Sequence, residues 1–458
     1  MNTTISNGIG TADLVPTLLE ITEKKIWPQL QRSHYMWNRF FQKRGVEVNS
    51  RSRQIPLYLR PGQVGTFRAE GLALPFAGPE LEVKASFGYT KYQRGFSFSA
   101  ESLEEMKQSS SLLSEADRLD RYRVNIKTEL ARFFYGSGDS SVAVVGSVSV
   151  TTGADGSLLM SVTSGNLGTS NMEIGSYYQI LDSSNSNAVL TWGGVRYFKL
   201  VVSNAGNGGG TQTTSGTLAA FHTPSGTVPA FNAATAVAAG DLIVPVGSVV
   251  GGTSYGFHGL GYHVVESSAT TWQGLTLSSY PELRSIVKDA SSADLTLGLA
   301  NFIEDVVIFR RDQPMGGEDK SLIITSPGQH ARLKQYLNSL RRATMGEKTM
   351  STGGKEVENQ LGNKWEVDPH CPDDRVYHLK EDDFSMLVLK ELSFVDNGSG
   401  GNMVLRRDDS DSDFDNYSHI YDGWWTMMFE FVSREPRNQA MIKGLGTTGI
   451  VRKHSYFR

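Results

Sequence analysis

Cysteine is nearly absent: Cys371 is alone among 458 residues. An intramolecular disulfide and a thiolate metal cluster are thereby excluded, which fits synthesis in a reducing cytosol. Long apolar runs are lacking too, and none approaches the roughly 20 residues that cross a bilayer, so no membrane contact is expected. The opening "MNTTISNGIG" has neither the basic start nor the apolar core of a secretory signal, and no leader is expected. Positive charge is not in excess. A formal net charge of -4 argues against a sequence-independent DNA binder, which needs clustered Lys and Arg to release counterions. What remains is a soluble, globular composition, 39% hydrophobic and 20% charged, on a chain long enough for two or more cores.

Catalytic and cofactor motifs are also missing. The nine histidines include no H-E-x-x-H pair, and no G-x-S-x-G elbow occurs. "GLGTTG", Gly444 to Gly449, spells a dinucleotide fingerprint, but that motif must open a helix inside a β-α-β unit, and too little chain follows. "GNGGG" at 206–210 lacks the Gly-Lys-Ser/Thr ending of a phosphate loop. In "DDSDSDFD", read as a calcium loop from Asp411, the sixth position is Asn416 rather than Gly and the twelfth is Asp422 rather than Glu. Asp368, His370, Cys371, Asp373 and Asp374 surround two prolines and read as a polar turn rather than a metal site. No catalytic, cofactor or metal residue is assigned, and no enzyme is expected.

The elements are clearer. Residues 1–50 read as an arm with one helix, followed by Trp27, Tyr35, Trp37, Phe40 and Phe41, aromatics that need a surface, their own core or a neighbouring subunit. "RQIPLYLR" and "PELEVKASFGY" alternate apolar and polar residues, the half-buried strand signal. The long Gly/Pro-rich stretch between them makes residues 51–98 an extended hairpin, marginal in water without a partner. Residues 99–135 read as helix, with Leu112, Ala116, Leu119, Ile126, Leu130 and Phe133 on one stripe and Gly136 as a left-handed stop. Residues 141–256 hold few charges and many short β-like runs among Gly, Ser, Thr and Asn, the pattern of an all-β module. Further on, "DLTLGLANFIEDVVIFRRDQP" predicts a helix with Leu295, Leu299, Phe302 and Val306 on one face. "KSLIITSP" predicts a buried strand, and "PGQHARLKQYLNSL" a helix capped by Ser326 and begun by Pro327. "KWEVDPHCPDDRVYHL" predicts strand, turn, strand. "SMLVLKELSFV", "NMVLRR" and "WWTMMFEFVS" predict strands.

The order of these parts resembles the major capsid proteins of tailed phages with the Hong Kong 97-type fold. "FRAEGLALP" is similar to the tip of that family's extended loop, and "FSFSAESLEEM" to the strand entering a short helix. "LDRYRVNIKTELARFFYGSGDSS" is similar to its spine helix and closing turn, and "FHGL" to the segment that normally follows that turn closely. "LIITSPGQHARLKQYL" and "FEFVSREPRNQAMIKGL" are similar to axial-domain segments. The resemblance covers residues 1–140 and about 257–445. It implies an α+β capsid fold with an all-β insertion: 1–50 N-terminal arm, 51–98 extended loop, 99–140 peripheral domain with spine helix, 141–256 insertion, 257–385 mainly axial domain, 386–432 peripheral strands, and 433–458 axial return and tail.

The implied function is structural. Copies would form hexamers and pentamers and close an icosahedral shell around double-stranded DNA, held by weak contact, in the virion. Implied partners are a separate scaffolding protein, since only about fifty residues precede the hairpin, a portal, and a decoration protein. Arg68 and Glu70 at the loop tip, with Trp27, Trp37 and Phe40 of the arm, are the expected intersubunit contacts. Leu72, Ala73 and Leu74 stand where some members carry a cross-linking lysine, so no covalent cross-link is expected there. An encapsulin-like compartment shell and a β-rich glycan-binding tail or adhesin protein are the alternatives.

Overall fold

The computed structural model describes residues 39–40, 52–60, 80–99, 126, 128–145, 151–152, 158–161, 172, 176–184, 187–190, 198–204, 218–222, 237–250, 252–267, 270–311, 322–344, 364–395, 403–407 and 417–447. Outside them lie Trp27, Trp37, Arg68 and Glu70, the N-terminal helix, Leu112 to Leu119, the "GNGGG" turn and the acidic "DDSDSDFD" turn. The described residues make a mixed, strand-rich fold with few helices. The chain divides into two units. One holds Met1–Ser52, Gly88–Ala131 and Ser385–Glu430; the other holds Arg53–Phe87, Arg132–Phe384 and Phe431–Arg458.

The first unit is built on the long strand Tyr417–Ser433, most of which it contains. Ten of that strand's residues, Ile420 to Phe429, pair antiparallel with Ser99 to Thr90 of the strand Thr90–Ser99. Phe384–Phe394 and Met403–Arg407 complete the sheet. Two glycines in this register each face an aromatic residue. Gly423 stands opposite Phe96, whose ring fills the space a Cβ would need, and Gly95 lies opposite Trp424, whose indole covers it. An aromatic laid over a cross-strand glycine recovers contact area that the glycine itself lacks. Trp425, Met427 and Phe429 alternate on the buried face. Beyond the sheet, Tyr92 Oη donates to Glu129 Oε2 at 2.5 Å, and Arg94 pairs with the same carboxylate, fixing the helix that ends at residue 133.

The second unit contains a five-stranded sheet in the order Ile286–Asp289, Ala440–Lys443, Val376–Leu379, Leu322–Thr325, Lys364–Val367. Val376–Leu379 runs against the other four. The expected strand, turn, strand over 364–379 is present, but its two strands pair with Leu322–Thr325 between them and not with each other. The helix Pro327–Thr344 starts as expected, with Gln329 N donating to Ser326 Oγ at 3.3 Å.

The helix Leu297–Arg311 buries only part of the face expected: Leu295, just before it, lies in the core and Leu299 packs against it. Ala300, Ile303 and Val307 enter the core with them, whereas Phe302 is 49% exposed under the Lys288 ammonium. Two overlapping four-and-three stripes exist in this helix, and tertiary packing selects the one that meets Ile323 and Trp365.

The described strands between Ala143 and Pro245 form an eight-stranded sheet of their own. Its main path is Ala143–Val144, Leu242–Pro245, Tyr177–Asp182, Phe198–Asn204, Leu218–His222, Leu158–Ser161, Thr151–Thr152, with Ala188–Val189 paired to Tyr177–Asp182. Among the described residues these strands pair only with each other. They enclose their own core of Val145, Tyr178, Ile180, Phe198 and Ile243. Asp241 is buried yet satisfied: its carboxylate accepts from Ser183 N at 3.0 Å, Ser183 Oγ at 3.1 Å and Ala238 N at 2.8 Å.

Candidate functional site

The turn after residue 133, in the second unit, is tightly constrained. The helix buries Ile126, Leu130 and then Phe134, one residue beyond the Phe133 expected, because steps of four from Ile126 arrive there. Gly136 is not the left-handed stop. Its N–H closes an ordinary turn onto Phe133 O at 2.8 Å, and the positive φ falls on Gly138 (85°) and Ser140 (61°).

Onto this turn docks the segment Gly256 to His263. Leu260 N donates to Phe134 O at 2.8 Å. A Cβ on Gly259 would stand 2.5 Å from Phe134 O and 2.6 Å from Phe133 O. One on Gly256 would stand 2.5 Å from Ser140 N. Only glycine lets these two backbones meet. The chain between them leaves and returns at one place, for Ser140 Oγ lies 3.1 Å from Ser254 Oγ, which also meets Gly138 O at 3.1 Å.

Aromatic rings carry the joint inward. Phe134 and Phe431 have centroids 4.7 Å apart, and Phe431 stacks on Phe384 at 4.9 Å. His263 is wholly buried among Phe431, Phe384 and Trp272. Its Nε2 is 2.9 Å from Phe431 O, and its Nδ1 accepts from Trp272 Nε1 at 3.2 Å, which fixes the neutral tautomer with the proton on Nε2. Burial, with the neighbouring His258, pushes its pKa down to about 3. Trp272 in turn meets Phe87 edge-on at 5.8 Å, and Ser86 N donates to Gln273 O at 3.2 Å. Thus the hairpin formed by Ser52–Arg60 and Leu81–Gly88 is anchored at its base, and Arg60 pairs with Glu282.

On the other side Tyr135 Oη donates to Asp368 Oδ2 at 2.7 Å, and His370 N donates to Asp368 Oδ1 at 2.8 Å. Burial, reinforced by Asp368, holds the Tyr135 pKa well above the ordinary tyrosine range. The Cys371 thiol is likewise pushed up by burial and then by Asp368. The residues of this polar turn are therefore spent on structure. Among the described residues, no three of His, Cys, Asp and Glu stand where they could hold a metal ion. Gly444 to Gly446 of "GLGTTG" close the sheet: Leu445 N donates to Asp374 O at 3.0 Å, and Gly446 O accepts from Gln329 Nε2 at 2.9 Å.

Solved structures similar to this chain include phage capsids. The capsid asymmetric unit of cyanophage A-1(L) is 12% identical with a TM-score of 0.47, over 90% of this chain and 93% of that one. The satellite phage P4 procapsid including the size determination protein is 11% identical with a TM-score of 0.36, over 92% and 90%. The capsid of a native GTA particle is 9% identical with a TM-score of 0.38, over 88% and 89%. No family model and no curated protein matches the sequence.

Of the residues singled out as contacts, Phe40 alone is described, and it is fully buried within the single chain. The glycine joint was missed residue by residue. Its sequence signals were the likeness of "FHGL" to the segment that follows the helix-closing turn and the spacing of Gly256, Gly259 and Gly261 beside aromatics, neither of which names the contacts.

Proposed function

We propose that the chain is a tailed-phage major capsid protein of the Hong Kong 97 type, which assembles through hexamers and pentamers into the icosahedral head shell around double-stranded DNA. The carrying observation is the joint between residues 133–140 and Gly256 to His263. It brings the two ends of residues 141–256 to one place, which supports reading the β-strands between them as an inserted subdomain. The anchored hairpin and the small β-α-β domain around Ala440–Lys443 support the same reading. No chemistry is required of such a protein. Assembly comes from surface that one subunit leaves open and a neighbour covers. Scaffolding and portal proteins are the partners this reading requires.

Expression of the chain with the scaffolding gene of the same genome, followed by negative-stain microscopy, tests it. Closed shells or free capsomers are expected. A strictly monomeric species with that partner present overturns the reading.

A further inference from the structure

The root of the β-subdomain carries an exposed strip without charge. After the strand Leu242–Pro245 the chain turns, with Ser248 N donating to Pro245 O at 3.2 Å, and enters a small hairpin, Val249–Val250 against Thr253–Ser254. Tyr255 N donates to Ser248 O at 3.0 Å and extends that pairing by one residue. Strand alternation then gives the hairpin two faces. Val249 and Ser254 share the inner one. Val249 packs with Leu181 and Val244 of the eight-stranded sheet, and Ser254 Oγ meets Ser140 and Gly138 at the joint. Ser248, Val250, Thr253 and Tyr255 share the outer face, where Val250 is 62% exposed and Tyr255 59%. Val246 follows Pro245, and the register that pairs Pro245 with Tyr178 sets it opposite Tyr177; these two are 44% and 42% exposed. Single exposed apolar residues need no explanation, but four of the nine large ones among the described residues stand at this one place.

Composition and size select what covers the strip. From Leu242 to Phe257 no residue is charged, in a chain that is 20% charged. The strip therefore offers nothing to a phosphate backbone or to a charged tail, and it meets a copy of the same chain without like-charge repulsion. Its open area is on the order of 350 Å², at about 200 Å² for a whole tyrosine and somewhat less for a valine. A partner arriving free from solution needs about 800 Å² on each side. The strip thus holds only a partner that other contacts have already brought to it, as they do for neighbours in a closed assembly. Val249 in the core and Ser254 at the joint also hold it in place beforehand, so covering it costs little ordering.

We propose that the strip formed by Val246, Val250 and Tyr255 is covered by a second copy of the chain. The inference rests on the shell reading and gives it a contact surface at the insertion, apart from the loop tip and the arm.

The test uses the full-length chain with Val250→Cys, labelled by a small maleimide before and after assembly with scaffolding. Cys371 is buried, and wild type measures its background. Labelling in shells should be at least about ten-fold slower than in the unassembled chain, because a packed interface excludes the reagent. Val250→Asp, alone and with Tyr255→Asp, puts charge into the covered surface and should cut the yield of shells several-fold, while the unassembled chain keeps its circular dichroism. The single variant keeps the test open where the double one does not fold. Equal labelling rates before and after assembly overturn the proposal, and so does a normal yield of shells from the charged variants. Failure of wild type to form shells overturns the shell reading alone. The strip is then judged by sedimentation of the unassembled chain at rising concentration: self-association weakened by Val250→Asp sustains the proposal, whereas association that this variant leaves unchanged, or none in wild type, overturns it.

Discussion

Buried His263 gives the fold a pH-dependent contribution to its stability. The fold binds its neutral form, with the pKa near 3, while the unfolded chain takes up the proton near 6.5. Between those values the unfolded state holds more protons, so stability falls as pH falls, by up to about 1.4 kcal/mol per unit. Above about pH 7 the contribution is complete. Urea midpoints measured from pH 7.5 to 4 should drop along this limb in wild type. His263→Gln should lose about 1–3 kcal/mol at pH 7.5, since Trp272 Nε1 and Phe431 O lose ideal partners, and should show a flatter acid limb. Parallel limbs in the two proteins would remove His263 as the cause. Gly259 sets a steric test beside this electrostatic one. Gly259→Ala drives a methyl into two backbone carbonyls that cannot swing aside, and a loss of about 3 kcal/mol or more is expected by denaturant melts. Gly88 has no atom within 4 Å of an added Cβ and no positive φ, so Gly88→Ala should be neutral or gain up to about 1 kcal/mol. Equal effects at both glycines would mean that the close backbone approach at Gly259 is not what holds the joint.

Among the elements, those with strong local signals were legible. Period-two alternation marked the hairpin strands, whose pattern from Leu81 to Gly88 alternates buried and exposed from Val83 onward. Ser326 before Pro327 marked the start of its helix to the residue. Faces and partners were harder to read. Phe302 and Ile303 belong to rival stripes of one helix, and only the sheet beneath decides between them. Gly138 rather than Gly136 takes the left-handed turn because the chain must reach Ser254 and Gly256, which are far away in sequence. The candidate joint was therefore legible as an order of segments and hidden as a set of contacts. Its geometry makes an element-scale prediction. Because Ser140 and Ser254 meet and the strands between pair among themselves, replacing residues 142–254 by a short Gly-Ser linker should leave the remaining chain folded. Cooperative unfolding and retained near-ultraviolet dichroism are the expected readings. Aggregation with loss of both would show that the β-subdomain supports the fold around it.

At the scale of the whole molecule, assembly depends on what one chain leaves uncovered. The base of the hairpin is not open on both faces: Leu57, Leu59, Val83, Ala85 and Phe87 are buried, and Phe87 and Arg60 are held by Trp272 and Glu282 of the same chain. Its other face presents Gln54, Tyr58, Glu82 and Lys84 to solvent. For the shell reading we propose that Arg68 and Glu70, which lie outside the described residues, are satisfied across a subunit boundary. An exposed ion pair contributes only about 0–1 kcal/mol. A shell repeats that pair at every equivalent boundary, and a small loss per subunit accumulates over the whole closed surface. Arg68→Glu should therefore leave the subunit folded by circular dichroism while lowering the yield or the salt tolerance of shells, and Glu70→Arg in the same chain should restore part of the loss. Arg68→Glu shells that form in normal yield and survive the same salt and heat as wild type would show that the tip is not a charged clamp between subunits.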